Sequence, residues 1–128
     1  DIYKRISAIE TEEEYMDMQD ELMDRFGDIP HSVENLLKIA AIRALAHRAY
    51  VTEVVINRQE VRLTMHQKAK LQVEKIPDLV RSYKGDLKLV PGDVPSFHYV
   101  DRRNKNQDSL EMMGKAEEIL KDMCGIRI

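Results

Sequence analysis

Four histidines, one cysteine and 23 acidic side chains are the groups in this 128-residue chain able to hold a metal, attack an electrophile or move a proton. Their spacing decides how far that chemistry goes. A zinc site draws several His, Cys or acidic ligands from short intervals of sequence, whereas His31, His47, His66, His98 and Cys124 are dispersed with no pairwise motif. The histidines are therefore expected at the surface or half-buried, with no metal between them. Cys124 stands between Met123 and Gly125 near a helix end, and no GxSxG elbow is present. A packing role is expected for it rather than nucleophilic catalysis. A phosphate-cradling loop needs clustered glycines, because only Gly lets successive backbone N–H groups close around an anion. Glycines 27, 85, 92, 114 and 125 are scattered, so no cofactor is expected in this chain.

Two charged segments remain. The run Asp101-Arg102-Arg103-Asn104-Lys105-Asn106 carries three cations, and Arg102, Arg103 and Lys105 are the candidates for phosphate contact. Phe97 and Tyr99 just upstream have rings that stack on bases. The plainer reading is a solvated loop after a strand whose aromatics belong to the core. The second segment is Gln19-Asp20-Glu21-Leu22-Met23-Asp24-Arg25-Phe26-Gly27. At roughly 100° per residue, Glu14, Asp17, Glu21 and Asp24 gather within about a quarter-turn, away from a Tyr15/Leu22/Phe26 stripe. Carboxylates one turn apart hold guanidinium groups through charge-assisted hydrogen bonds, which suits docking on an Arg-bearing protein surface. The same residues also allow Glu21 simply to pair with Arg25, an interaction of about 0.3 kcal/mol with no functional consequence.

These groups need elements to position them. Tyr3, Ile6 and Ile9 predict a short helix, and Thr11 with Glu14 forms a capping box that opens a second helix over 12 to 26. Gly27 and Pro30 stop it. Ser32 is the expected cap of a third helix, apolar around much of its circumference from Val33 to Leu45 and therefore the most buried one. After Tyr50 the period changes: VTEVVIN is β-branched and VRLTMH alternates, predicting a hairpin across Arg58-Gln59-Glu60. Val73, Ile76, Leu79, Val80 and Tyr83 predict a short helix, provided Pro77 falls in its first turn. DLKLV and SFHYV read as two more strands around Pro91-Gly92-Asp93. Asp108 and Glu111 cap a last helix with the apolar stripe Leu110, Met113, Ala116, Leu120, Met123, ending at Gly125. Three helices followed by ββαββα imply an α+β fold with a small antiparallel sheet.

Bulk properties narrow the function. A hydrophobic content of 43% closes one core, so residues 1–128 are expected to form a single domain. A formal net charge of −3 argues against DNA as the principal ligand. A lone cysteine excludes an internal disulfide, and with neither a long apolar run nor a signal pattern the expectation is a cytoplasmic protein without a membrane partner. The first residue, Asp1, is not Met, and excision from a longer polypeptide is the expected reason.

Three blocks carry a family likeness: Tyr3-Lys4-Arg5-Ile6; Asp20-Glu21-Leu22-Met23-Asp24-Arg25-Phe26-Gly27-Asp28-Ile29-Pro30; and Val33-Glu34-Asn35-Leu36-Leu37. Together, at this spacing, they resemble the YKRI…DELxDRFGxxPxxVxNLL signature that opens the C-terminal domain of bacterial transcription-repair coupling factors. The match is specific over residues 1–50 and looser beyond. The resemblance implies a non-enzymatic regulatory domain of a large ATP-dependent DNA translocase, with ATP and Mg handled by preceding motor domains. Such a parent binds DNA, displaces RNA polymerase stalled at a lesion and recruits nucleotide excision repair. The domain itself is implied to dock on an N-terminal module related to the excision-repair B subunit, masking the surface for the A subunit. The acids matching the docking part of the motif are Glu21 and Asp24.

Overall fold

The computed structural model describes residues 2–102 and 108–128. Helix α1 spans Ile2–Ser7, α2 Glu12–Phe26 and α3 His31–Arg48. Strands β1 (Val51–Ile56) and β2 (Val61–Met65) follow, then a 3-10 turn at Val73–Lys75, α4 (Ile76–Arg81), β3 (Leu87–Val90), β4 (Ser96–Tyr99) and α5 (Ser109–Cys124). The α+β order expected from periodicity is the one observed.

Local chemistry accounts for most boundaries. The Thr11 hydroxyl accepts from the Glu14 N–H at 3.1 Å, and the Asp108 carboxylate accepts from the Glu111 N–H at 2.8 Å. Each satisfies a donor that has no partner inside its helix. Gly27, at φ +71°, closes α2 by donating its N–H to the Met23 carbonyl at 2.9 Å. In the β1–β2 turn the Asn57 side-chain oxygen accepts from the N–H groups of both Gln59 and Glu60 at 2.8 Å. Ser32 does not cap α3: Pro30 occupies that position and no side chain bonds there. Proline presets the helical approach and leaves Ser32 already inside the first turn. Pro77 sits at the start of α4 as expected, but Val73 is 72% exposed because the preceding turn is 3-10 and points it to solvent.

The four strands form one antiparallel sheet in the order β1-β2-β4-β3. Val61 pairs with Tyr99, which pairs with Leu87 on its other side; Leu63 pairs with Phe97. These residues are buried beneath α5 and the second half of α3. The alternate register, Arg62, His98 and Lys88, faces out. A second, smaller core joins α1, α2 and the first half of α3 through Ile6, Ile9, Met18, Leu22, Val33, Leu37 and Ala40. Helix α3 is apolar on several sides because it serves both cores. The C-terminus is fastened to the segment before α4, where Leu71 and Arg127 form a bridge and Ile128 donates its N–H to the Lys70 carbonyl at 2.9 Å.

Two predicted stripes are displaced. On α5 the buried set is Met112, Ala116, Ile119, Leu120 and Met123, while Leu110 is 52% exposed and Met113 only partly covered. On α2 the stripe ends at Leu22, and Phe26 is half exposed beneath the Arg25 guanidinium, 5.6 Å from its ring centre. Phe26 and Leu110 each lie in a terminal turn, whereas mid-helix burial of Ile119 widens the α5 stripe beyond the expected one.

Candidate docking face

Three arginines hold the N-terminal helices together. Arg43 of α3 donates from one nitrogen to the carbonyls of Ile6, Ser7 and Ile9, at 3.4, 3.2 and 2.9 Å, closing the end of α1. Arg48 reaches Glu12 at the start of α2, 2.8 Å away. Arg5 of α1 lies 2.5 Å from Glu21 of α2, a charge contact rather than a well-aligned hydrogen bond. These contacts add to the burial of Met18 and Leu22 in the small core, which turns the opposite side of α2 outward.

Glu21 and Asp24, the two acids of the motif, are consequently in different situations. Glu21 is partly buried and engaged by Arg5, not by Arg25 one turn later. Asp24 is exposed and has no ion pair among the described residues. The same holds for Glu13, Asp17 and Asp20, which with Asp24 follow the i, i+4, i+7, i+11 rhythm of one continuous row. Beside it runs a second row, Met16, Gln19, Met23 and Phe26, all exposed. The carboxylate row was foreseen in part through Asp17 and Asp24. The apolar row was not, although the positions left over by the Tyr15/Met18/Leu22 stripe contain it.

The remaining candidate groups are separate from this face. Arg102 is exposed just past β4; Arg103 and Lys105 lie outside the described residues. His31 contacts Glu34 at 3.3 Å, His66 accepts the Lys68 N–H at 3.0 Å, and His98 meets the Ser96 hydroxyl at 2.9 Å. Among the described residues no three His, Cys, Asp or Glu side chains are grouped to hold a metal. Burial pushes the Cys124 thiol upward in pKa, and its sulfur lies 3.8 Å from the Leu45 carbonyl. That places it far from the thiolate a nucleophile requires. The Tyr83 hydroxyl donates to Asp122 at 2.5 Å, and burial, then this bond, push its pKa far upward. Burial and then the Glu117 carboxylate of α5 raise the pKa of the Tyr15 hydroxyl on α2.

Residues 1–76 match the family model of the TRCF domain. The chain belongs to this family. Within it, the segment is 38% identical over 73 residues to the transcription-repair-coupling factor of Staphylococcus haemolyticus, covering 57% of this chain and 6% of that protein. The Bacillus subtilis transcription-repair-coupling factor is 35% identical over 74 residues, 58% of this chain and 6% of that protein. The Borreliella burgdorferi protein aligns over 120 residues at 26% identity, 94% of this chain and 11% of its own length. The chain therefore spans only a small part of the curated relatives it matches. Its fold is that of a solved C-terminal domain of transcription-repair coupling factor, with a TM-score of 0.67 at 21% identity over 97% of this chain and 79% of that one. Among the described residues no helix of the TRCF domain is long and apolar enough to cross a membrane.

Proposed function

We propose that this TRCF domain is a regulatory protein-interaction domain of a transcription-repair coupling factor. In this reading its parent is an ATP-dependent DNA translocase that displaces lesion-stalled RNA polymerase and recruits nucleotide excision repair. The domain clamps the N-terminal module related to the excision-repair B subunit and masks the surface for the A subunit. The observation that carries the reading is the α2 face: Asp20 and Asp24 on the signature segment, with Glu13 and Asp17 in the turns before it, stand exposed without an ion pair among the described residues. A solvated carboxylate row gives orientation and salt sensitivity with modest net affinity. A clamp that must release when polymerase and ATP are engaged needs such weak docking, because only the difference in affinity between closed and open forms shifts the population.

The test uses the full-length parent. Reversal at Asp24 alone, and at Glu21 together with Asp24, is expected to open the protein and raise its affinity for the excision-repair A subunit. Glu21→Lys is paired with Arg5→Glu so that the α1–α2 contact is kept. Unchanged A-subunit binding in both reversed proteins ends this reading.

A further inference from the structure

The two rows on α2 have different chemistry and lie on neighbouring flanks of its exposed side, roughly 110° apart around the axis. Met16 is 61% exposed, Met23 54% and Phe26 50%, whereas Met18, Met112 and Met123 on the helices are buried and Met113 is partly covered. Scattered exposed apolar residues are ordinary, but three of this size at i, i+7 and i+10 form a ridge. Met and aromatic residues are enriched at interface centres, and the flexible thioether adapts to an irregular partner surface. Alongside lies the carboxylate row of Glu13, Asp17, Asp20 and Asp24. The arginines that neutralise acids in this helix go to Glu12 and Glu21 instead. Over about 16 Å of helix, apolar and acidic groups are thus presented together.

We infer that the ridge of Met16, Met23 and Phe26 is the apolar centre of the docking face, and that its occupant is a basic protein surface with an apolar depression, supplied by the rest of the parent polypeptide. Charge complementarity selects this occupant. A second copy of the chain would bring one carboxylate row against another, which is repulsive. A membrane surface would be repelled in the same way by its anionic headgroups. The room for such a surface is ample, since the segment matched accounts for 6% of the Staphylococcus haemolyticus relative. The inference rests on the docking reading above and adds to it the class of surface that docks: desolvated apolar contact at the centre, with lysine or arginine at the rim. Glu21 belongs to the edge of this face, held back by Arg5.

Methionine oxidation by hydrogen peroxide, read by fragment-ion mass spectrometry, tests the ridge directly. In the isolated chain Met16 and Met23 are expected to oxidise quickly while buried Met18, in the same peptide, stays protected and reports that the domain is folded. In the resting full-length parent both exposed methionines are expected to slow by about five-fold or more, an effect reduced by salt and by Asp17→Lys with Asp20→Lys. Equal rates in the two proteins overturn the inference. Protection that persists in the charge-reversed parent overturns the basic-partner half of it. Protection that appears in the isolated chain as its concentration rises identifies a second copy as the occupant and also overturns it. The underlying clamp reading fails separately: protected methionines with unaltered A-subunit binding on charge reversal would leave the ridge standing and remove the masking.

Discussion

Arg5 and Glu21 meet at 2.5 Å across the α1–α2 interface, so one of the two acids of the family signature is engaged inside the domain while Asp24, one turn further, faces outward. The two positions therefore separate experimentally. Both side chains of the pair are substantially exposed, 50% and 38%, which limits its contribution to about 0.2–1 kcal/mol. Glu21→Ala is expected to lower the melting temperature by about 1–4 °C, and Asp24→Ala to leave it unchanged. Thermal unfolding of the two variants checks this, and equal melting points would show that the Arg5 contact contributes nothing.

Arg43 donates to three carbonyls at the end of α1, of which that of Ile6 also accepts from the Ile9 N–H at 3.2 Å. Its removal leaves the carbonyls of Ile6 and Ile9, two buried core residues, without their charged donor. Arg43→Ala is expected to destabilise by about 1–3 kcal/mol. Hydrogen exchange localises the loss: amides of residues 2–10 should accelerate more than those of β2 and β4. A uniform acceleration would assign Arg43 to global packing instead.

On α5 the observed stripe makes a sharp contrast. Ile119 is fully buried and Leu110 is 52% exposed. Ile119→Ala is expected to cost about 2–5 kcal/mol, with Leu110→Ala within about 0.5 kcal/mol of the parent sequence. Urea denaturation distinguishes them. A large loss at Leu110 would restore the stripe expected from periodicity alone.

Alkali should weaken the fold through Tyr83. Its pKa is raised from the ordinary value of 10.0 by burial and by the bond to Asp122, so the folded state holds the proton more tightly than the unfolded chain. The stability linked to this group is fully present below pH 10.0 and declines as pH rises above it. Tyr83→Phe is expected to flatten the fall in stability above that pH, because the phenol no longer titrates. A pH series of chemical denaturation midpoints measures the slope, and identical slopes in the two proteins would remove Tyr83 as the cause.

Gly85 sits at φ +90° with open space where a Cβ would go. Gly85→Ala should therefore be destabilised by backbone strain alone, by about 1 kcal/mol or more. Gly114, in the middle of α5 with equally open space and ordinary φ, gives the opposite sign: Gly114→Ala is expected to stabilise by about 0.5–1 kcal/mol. Melting temperatures of the two variants provide the comparison.

What the amino-acid order determines by itself here is whatever acts within one turn of helix or one step of strand. Thr11 with Glu14 and Asp108 with Glu111 start helices through bonds three residues long, and the alternation of Val61, Leu63 and Met65 sets one face of a strand inward. The signature over α1 to α3 adds the family in the same way, as a pattern of types at fixed spacing. Tertiary structure alone decided which partner Glu21 takes, because Arg5 and Arg25 are equally plausible until α1 is laid against α2. It also decided the limits of each apolar stripe, which stops at Leu22 on α2 and starts after Leu110, at Met112, on α5, since a helix face is buried only where a neighbouring element covers it. The exposed ridge beside the carboxylates has the same origin. Period assigns Met16 and Met23 to one side of α2 and Phe26 to the packing stripe; only the packing of Met18 and Leu22 into the small core, and the end of that core before Phe26, leave all three exposed.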